Sequence, residues 1–341
     1  MRRELVCRRP SNPPELELRQ SAVPVPGRGD VLVRVEATSI NPIDVKRASG
    51  YGQRLLSLKG AGRFPLVLGN DLVGRVEAVG PGEARFAVGD RVFGLVGSGS
   101  KGGTHASHVV APQDLLRPAP PGAAPEALAV LPYCFTTLWL AVQGAGLNRR
   151  NAGGRKVLVL GAAGALGRLS LQLLGAWGCR ITAICAAGTT AECRALGASI
   201  ALEQGGDVIG TLPTDFDVVL NFADWDEDIA LASRLSRTAL GQATTVHPLL
   251  GHFDRLGWLK GALACRRDRQ RVQAIVRQRS AAARYAWTIF KPDGDALDDL
   301  ASRVAAQRIS LPVGIRAGFD KADRLFAHVA GGRPGRAVLT P

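Results

Sequence analysis

Leu16 and Leu18 alternate with polar and charged neighbours, and VLVRVEA (Val31 to Ala37) keeps a period of two after the turn-forming PGRGD. That alternation predicts half-buried strands. Valine-rich segments recur at LVGRVEAVG, DRVFGLVG and SHVVAP, punctuated by Pro81-Gly82 and Gly89-Asp90. Short strands divided by turns predict a barrel-like, partly antiparallel unit ending near Pro118, Pro120 and Pro121. From Ala123 the period lengthens, and AAPEALAVLPYCFTTLWLAVQ carries a buried helical face. Val157 to Leu160 is then wholly apolar, as a parallel strand covered on both faces requires. Leu166, Leu169, Leu173 and Leu174 follow at helical spacing, and Ile181 to Cys185 reads as the next strand. A strand at Phe216 to Ala223, a helix near Ile229 to Arg237 and a strand near Ala243 to His247 continue the alternation. Such a series makes a parallel sheet with crossovers. Leu256 to Ala283 reads as connecting helices; the tail from Ala286 offers an amphipathic helix (Leu297 to Gln307), an LPVGI strand, another helix and a closing RAVLT strand. The strand near Ala243 is expected at a sheet edge, where it could join two copies into a homodimer.

The chemistry concentrates at GAAGALG, Gly161 to Gly167, between the apolar strand and its helix. Gly164 and Gly167 fall where a βαβ dinucleotide fold needs no side chain, one for backbone approach to a pyrophosphate and one for helix-strand packing. The following helix would direct free N–H groups and a partial positive charge at the phosphate.

With 341 residues the chain has room for two domains, and 46% hydrophobic with 21% charged residues marks a folded protein. No apolar run is read as long enough for a membrane span. MRRELVCRRP lacks an apolar signal core, and a cytoplasmic location is expected. Six scattered cysteines without a C-x-x-C pair signal neither disulfides nor a thiolate metal cluster. The net charge of +14 would suit nucleic acid or an acidic membrane. Only Arg266, Arg267, Arg269 and Arg271 cluster, however, and a solvated helix face explains them better than a nucleic-acid stripe.

Ordered motifs spread over the whole chain extend this reading: SINPIDVKRASGYG, FPLVLGNDLVGRVEAVG, FAVGDRVFG, LPYCFTTLWLAV, GAAGALG and GRPGRAVL. Together they resemble the medium-chain dehydrogenase/reductase superfamily, in its zinc-independent quinone oxidoreductase branch. With GYG, LPY, AGLN and DRLGWLKGAL they look most like the reticulon-4-interacting protein 1 group. The resemblance implies an α/β protein with a GroES-like β-rich catalytic domain, residues 1–125 and 286–341, and a Rossmann doubly wound parallel-sheet domain, residues 126–285. It also implies hydride transfer from a nicotinamide to a small quinone or enone.

Zinc members of that superfamily place metal ligands where this chain has Asn41, Asn70 and Tyr133, so no zinc is expected. His105 and His108 lie near that region without completing a ligand set. By resemblance Asn41, Tyr51 and Tyr133 surround the reacting substrate. Cofactor contacts fall by the same resemblance on Thr137, Gly161, Ala163, Gly164, Ala165, Leu166, Gly167, Cys185, Arg194, Phe222 and His247. No Asp or Glu occurs from Gly167 to Ala191 to bind a ribose 2′-OH, which favours NADPH over NADH, with Arg180 or Arg194 as phosphate partner. Two departures stand out: Gln204 where relatives often carry Tyr, and Asp224 in NFADW where relatives carry DNVGG. They leave open a second reading, a dinucleotide-binding scaffold or sensor with weak turnover.

Overall fold

The computed structural model describes residues 1–58, 60–97 and 102–341. The chain divides into two compact units, residues 1–136 with 291–341 and residues 137–290. The cut falls inside a helix and after the last strand of the second unit, whereas the sequence reading put it before 126 and after 285. A continuous helix offers no linker at which composition could reveal the boundary.

In chain order the first unit contains β1 (Arg2–Cys7), β2 (Leu16–Ser21), β3 (Asp30–Ile40), α1 (Pro42–Ala48), α2 (Gln53–Ser57) and β4 (Leu66–Val67). β5 (Asp71–Val79), β6 (Arg91–Leu95), β7 (His108–Pro112), β8 (Leu116–Pro118), α3 (Pro125–Ala129) and the start of α4 (Pro132–Gly144) follow. A three-stranded sheet runs β2-β1-β4. The larger one is organised on β3, whose alternating residues bury Val31, Val33 and Val35 against Leu72, Val76, Val92 and Leu116. β3 pairs antiparallel with β5 through two register shifts, which bend the sheet in the manner of β-bulges.

The second unit carries β9 (Lys156–Leu160), α5 (Ala165–Ala176), β10 (Arg180–Cys185), α6 (Thr190–Ala195), β11 (Ile200–Glu203) and β12 (Val218–Asn221). α7 (Asp228–Ala232), β13 (Gly241–Thr244), α8 (Leu249–Arg279) and β14 (Arg284–Trp287) complete it. All its strands are parallel, in the order β11-β10-β9-β12-β13-β14. That is the doubly wound order in which the strand sequence reverses beside β9. Leu158, Leu160, Val219 and Leu231 are fully buried beneath the crossovers. β13 is interior, so the edge expected near Ala243 is corrected to β14, the last strand of the series.

The tail supplies α9 (Gly294–Ala305), β15 (Val313–Gly318), α10 (Ala322–Ala330) and β16 (Arg336–Thr340) to the first unit. β16 lies against β3, and Leu325 and Phe326 of α10 pack with Ile40 and Leu339. By length and composition the stretch Pro125–Gly144 could cross a membrane, which the sequence reading missed. It is 67% buried within the protein, as a core helix of this length would be.

Candidate functional site

The β9–α5 turn shows why its glycines stand where they do. Gly161 ends the strand at φ 82°, a left-handed conformation that residues with a Cβ rarely adopt. A Cβ on Gly167 would lie 2.3 Å from Gly161 O and 2.4 Å from Ala162 Cα, so only glycine lets α5 seat against the strand. Gly164 differs: a Cβ there meets Gly161 O at 3.3 Å and otherwise faces open space. No side chain caps the helix at Gly164, and the N–H groups of Ala165, Leu166 and Gly167 head a helix whose first turn has no internal acceptors. Open volume beside spare donors at a helix N-terminus fits a dinucleotide pyrophosphate. Ala163 adds its carbonyl, which accepts from Arg168 Nε at 2.7 Å.

Arg168 was not foreseen. Its guanidinium forks onto Glu192 of α6, one arm at 2.6 Å, beside the fingerprint loop. Arg194 instead donates to Ala201 O at 3.3 Å, and Arg180 starts β10 at the end of the sheet away from the loop. Arg194 is thus engaged with β11, and Arg180 stands at the opposite end of β10 from the fingerprint loop. A carboxylate does approach the loop after β10: Glu203 Oε1 accepts from Gly188 N at 2.8 Å, from outside the stretch scanned for acids. Cys185 ends β10, but its thiol donates to Leu202 O at 3.4 Å and its carbonyl accepts from Gln204 N at 2.7 Å. Both groups are therefore engaged within the protein. Asp224 accepts from Asp226 N at 2.9 Å and closes its own turn.

A second polar group lies at the carboxyl ends of β12, β13 and β14. Tyr285 and Trp287, two apart on β14, face the same way. Trp287 Nε1 donates to Tyr285 Oη at 2.9 Å, and the phenol donates to Asp228 Oδ2 at 2.6 Å. Asn221 Nδ2 holds the other carboxylate oxygen at 2.8 Å. Burial raises the Asp228 and Tyr285 pKa values, the neighbouring Asp228 charge adding to the effect on Tyr285. The His247 ring stacks on Trp287 at 4.9 Å, while Trp225 meets Trp287 edge-on at 5.5 Å. Burial lowers the His247 pKa, so the ring is neutral. Nε2 lies 3.0 Å from Thr288 O and carries the proton, which leaves Nδ1 as a buried acceptor with no partner among the described residues. Phe222 follows β12 half-buried, and Thr137 is buried on α4.

In the first unit Asn41 is fully buried at the start of α1. Its Nδ2 donates to Ser39 Oγ at 3.0 Å and Asp71 Oδ2 at 2.9 Å, and its Oδ1 accepts from Arg336 and, at 3.7 Å, from the Cys134 thiol. Every hydrogen-bonding position of the amide is taken. Asn41 is thus a scaffold for the network, a correction to its expected place beside the substrate. Asp71 also accepts from Ser39 Oγ at 2.5 Å and from the Tyr133 amide at 2.6 Å. Burial lifts its carboxyl to about 6 despite these donors and Arg336. Tyr133 follows Pro132 in the first turn of α4; burial, then the charges of Asp44, Cys134 and Asp71, raise its phenol above the usual range. It is a hydrogen-bond donor at any physiological pH. Tyr51 lines a crevice with Arg47, Gln53 and Phe64 that is too narrow for water, and Lys46 Nζ lies 5.5 Å from its ring centre.

Asn70 donates to Val96 O at 3.0 Å, and its buried Oδ1 has no partner among the described residues. His105 lies 3.0 Å from Ser39 O and His108 pairs with Glu77 at 3.1 Å. Among the described residues no group of three His, Cys, Asp or Glu could hold a metal. The guanidinium at Asn41 would also repel a cation there. All six cysteines are free and buried, and burial pushes the thiols of Cys7, Cys134 and Cys179 up to about 11.

A β-rich unit of this topology joined to a doubly wound sheet with a dinucleotide turn defines a medium-chain dehydrogenase/reductase. Residues 27–121 match the alcohol dehydrogenase GroES-like domain. The chain is 32% identical over 329 residues to NAD(P)H oxidoreductase RTN4IP1, mitochondrial, of Bos taurus, covering 91% of this chain and 81% of that protein. It is 31% identical to reticulon-4-interacting protein 1, mitochondrial, of Caenorhabditis elegans, over 92% of this chain and 89% of that protein. The quinone oxidoreductase of Coxiella burnetii shares the fold at a TM-score of 0.82 and 21% identity, over 100% of this chain and 99% of that one. The chain belongs to the zinc-independent quinone oxidoreductase branch of the superfamily, with the RTN4IP1 proteins, and is an NAD(P)H-dependent oxidoreductase. The cytoplasmic expectation is overturned, because both relatives are named mitochondrial. Charge and hydropathy of a folded chain do not distinguish one aqueous compartment from another.

Proposed function

We propose that the chain reduces quinones or α,β-unsaturated carbonyls, with NADPH preferred to NADH. The observation that carries the cofactor half is the open volume at Gly164 beside the spare N–H groups of α5. Those amides bind and orient a pyrophosphate without any side chain. The buried Nδ1 of His247 accepts a hydrogen bond from an amide or hydroxyl of the nicotinamide half, and the Trp287 stack fixes the ring that offers it. A bound nicotinamide supplies the hydride. The phenol of Tyr133 serves as donor to the substrate oxygen on which charge develops, while Tyr51, in its narrow crevice, is left as the resemblance's second candidate. With its pKa raised, Tyr133 stabilises that oxygen by hydrogen bonding and leaves full protonation to solvent.

For the 2′-phosphate, Arg168 replaces Arg180 and Arg194 as the partner, since its guanidinium already touches the loop and could exchange Glu192 for a phosphate. Asp224, which closes its own turn, gives less support to a scaffold without turnover, while Gln204 keeps that second reading open to the turnover test.

Fluorescence titration with NADPH and NADH, followed by turnover on a panel of quinones and enones, tests the proposal. NADPH should bind about tenfold more tightly, the gain of one charge-assisted hydrogen bond. Arg168→Ala should erase most of that difference. Gly164→Val should fold normally yet lose at least about a hundredfold in affinity for both nucleotides, because its branches enter the volume meant for pyrophosphate. Equal affinities in the wild type would remove the NADPH preference, and binding without turnover on any acceptor would restore the sensor reading.

A further inference from the structure

The basic segment singled out in the sequence belongs to a bent element. Gly257 interrupts α8 at φ 76° and ψ −171°, so the chain turns between the arm ending at Leu256 and the arm starting at Trp258. The bend is braced from inside. A Cβ on Gly261 would lie 3.0 Å from His252 O and Phe253 Cα, and His252 Nε2 meets Asp268 Oδ2 at 2.7 Å. Gly261, Ala264, Cys265, Val272 and Val276 form the buried side of the long arm.

The tip and the opposite side do what a solvated helix face does not. Leu256 and Trp258 are each 45% exposed, Leu263 58% and Leu259 76%. Exposed Arg255, Lys260, Arg266 and Arg267 surround them. Leu259, Leu263 and Arg266 share one face at successive turns. Asp254 and Asp268 are the segment's only carboxylates; Asp268 holds His252 with one oxygen, and its other oxygen lies 3.4 Å from Nε of the exposed Arg267.

We propose that this tip docks on an anionic membrane surface, with Leu259 and Leu263 entering the headgroup boundary and the cations meeting lipid phosphates. The charge pattern selects the occupant. A two-fold pairing with a second copy would press two faces rich in Arg and Lys together with only Asp254 as an outward acid to offset them. Apolar side chains and a Trp ringed by cations, over a helix with no outward acid but Asp254 near its bend, is the arrangement that lies flat on acidic lipid. Four apolar side chains are few, so the attachment is reversible. The inference does not rest on the reductase reading, because the patch lies outside the proposed cofactor and substrate groups.

The test is flotation of the full chain with vesicles of phosphatidylcholine, alone or containing phosphatidylglycerol. Binding should require the anionic lipid and weaken at high salt. Leu259→Glu with Leu263→Glu should lower the partition on the order of tenfold or more, because charge replaces the inserted apolar groups. Arg266→Glu with Arg267→Glu should do the same on the order of tenfold and remove the salt dependence. Both variants should keep the wild-type melting temperature and NADPH affinity, which separates lost docking from lost folding. No binding to anionic vesicles, or binding unchanged in both variants, would overturn the proposal. So would a wild-type dimer in sedimentation that Leu259→Glu with Leu263→Glu splits, since the face would then join two copies.

Discussion

Each unit of this chain buries a carboxylate under a polar network, and the two networks end differently. Around Asp71 the amide of Asn41 is engaged at every position and a guanidinium completes the group. Around Asp228 the series runs through Tyr285 to Trp287, and the ring stacked on Trp287 carries a buried nitrogen that nothing in the described protein meets. The first arrangement engages its amide fully and holds an internal cation, of which only the Arg336 Nε lacks a partner among the described residues; the second leaves a neutral ring acceptor that is complete only when a donor arrives from outside. Polar burial thus does two jobs here, fixing β16 against β3 in one unit and keeping an acceptor ready in the other.

Removing the internal cation should have the largest effect. Arg336→Met takes away the cation that favours the charged form of Asp71 and leaves Asn41 Oδ1 short of a donor, and should cost about 3 to 5 kcal/mol in urea unfolding. A loss under about 1 kcal/mol would mean the network is not closed by Arg336.

Asp71 itself should give the first unit a pH signature. Its folded pKa near 6 exceeds the ordinary 3.8, so between those values the folded state holds more proton than the unfolded one. Stability from this group is therefore full below pH 3.8 and is lost as pH rises through 6. Relative to Asp71→Asn, the wild type should lose about 3 kcal/mol between pH 4 and pH 7, an order-of-magnitude value from the size of the shift. A pH-independent difference between the two proteins would show that Asp71 ionises normally.

The second network should respond more mildly. Tyr285→Phe removes a hydrogen bond to a buried carboxylate and should cost about 2 kcal/mol, read by thermal melting. His247→Phe keeps an aromatic ring on Trp287 and should change stability by less than about 1 kcal/mol, while weakening NADPH binding about five- to tenfold. If His247→Phe destabilised the fold as much as Arg336→Met, the contrast between a closed and an open network would fail.

Local pattern carried much of the architecture. The apolar run before GAAGALG is β9, the leucines after it are α5, and Ile181 to Cys185 lies within β10, because periodicity and turn chemistry act over a few residues. Groups joined across the fold were not legible. Arg336 and Asn41 are 295 positions apart, and Tyr285 and Asp228 57. Only the pairing of β16 with β3, and of successive parallel strands, brings them together. Arg168 stood next to the fingerprint, yet nothing in its neighbours told a loop-facing guanidinium from a surface one. Scanning the stretch after the turn for acids likewise missed Glu203, which returns on the neighbouring strand β11.

The six buried cysteines bear on survival under the chemistry proposed for this chain. Quinones and enones are soft electrophiles that alkylate thiolates, and the thiolate is the reactive form. All six thiols are buried, and burial holds those of Cys7, Cys134 and Cys179 near 11, so these three are almost wholly protonated at neutral pH. Burial thus shields these thiols from alkylation by the electrophiles proposed as substrates.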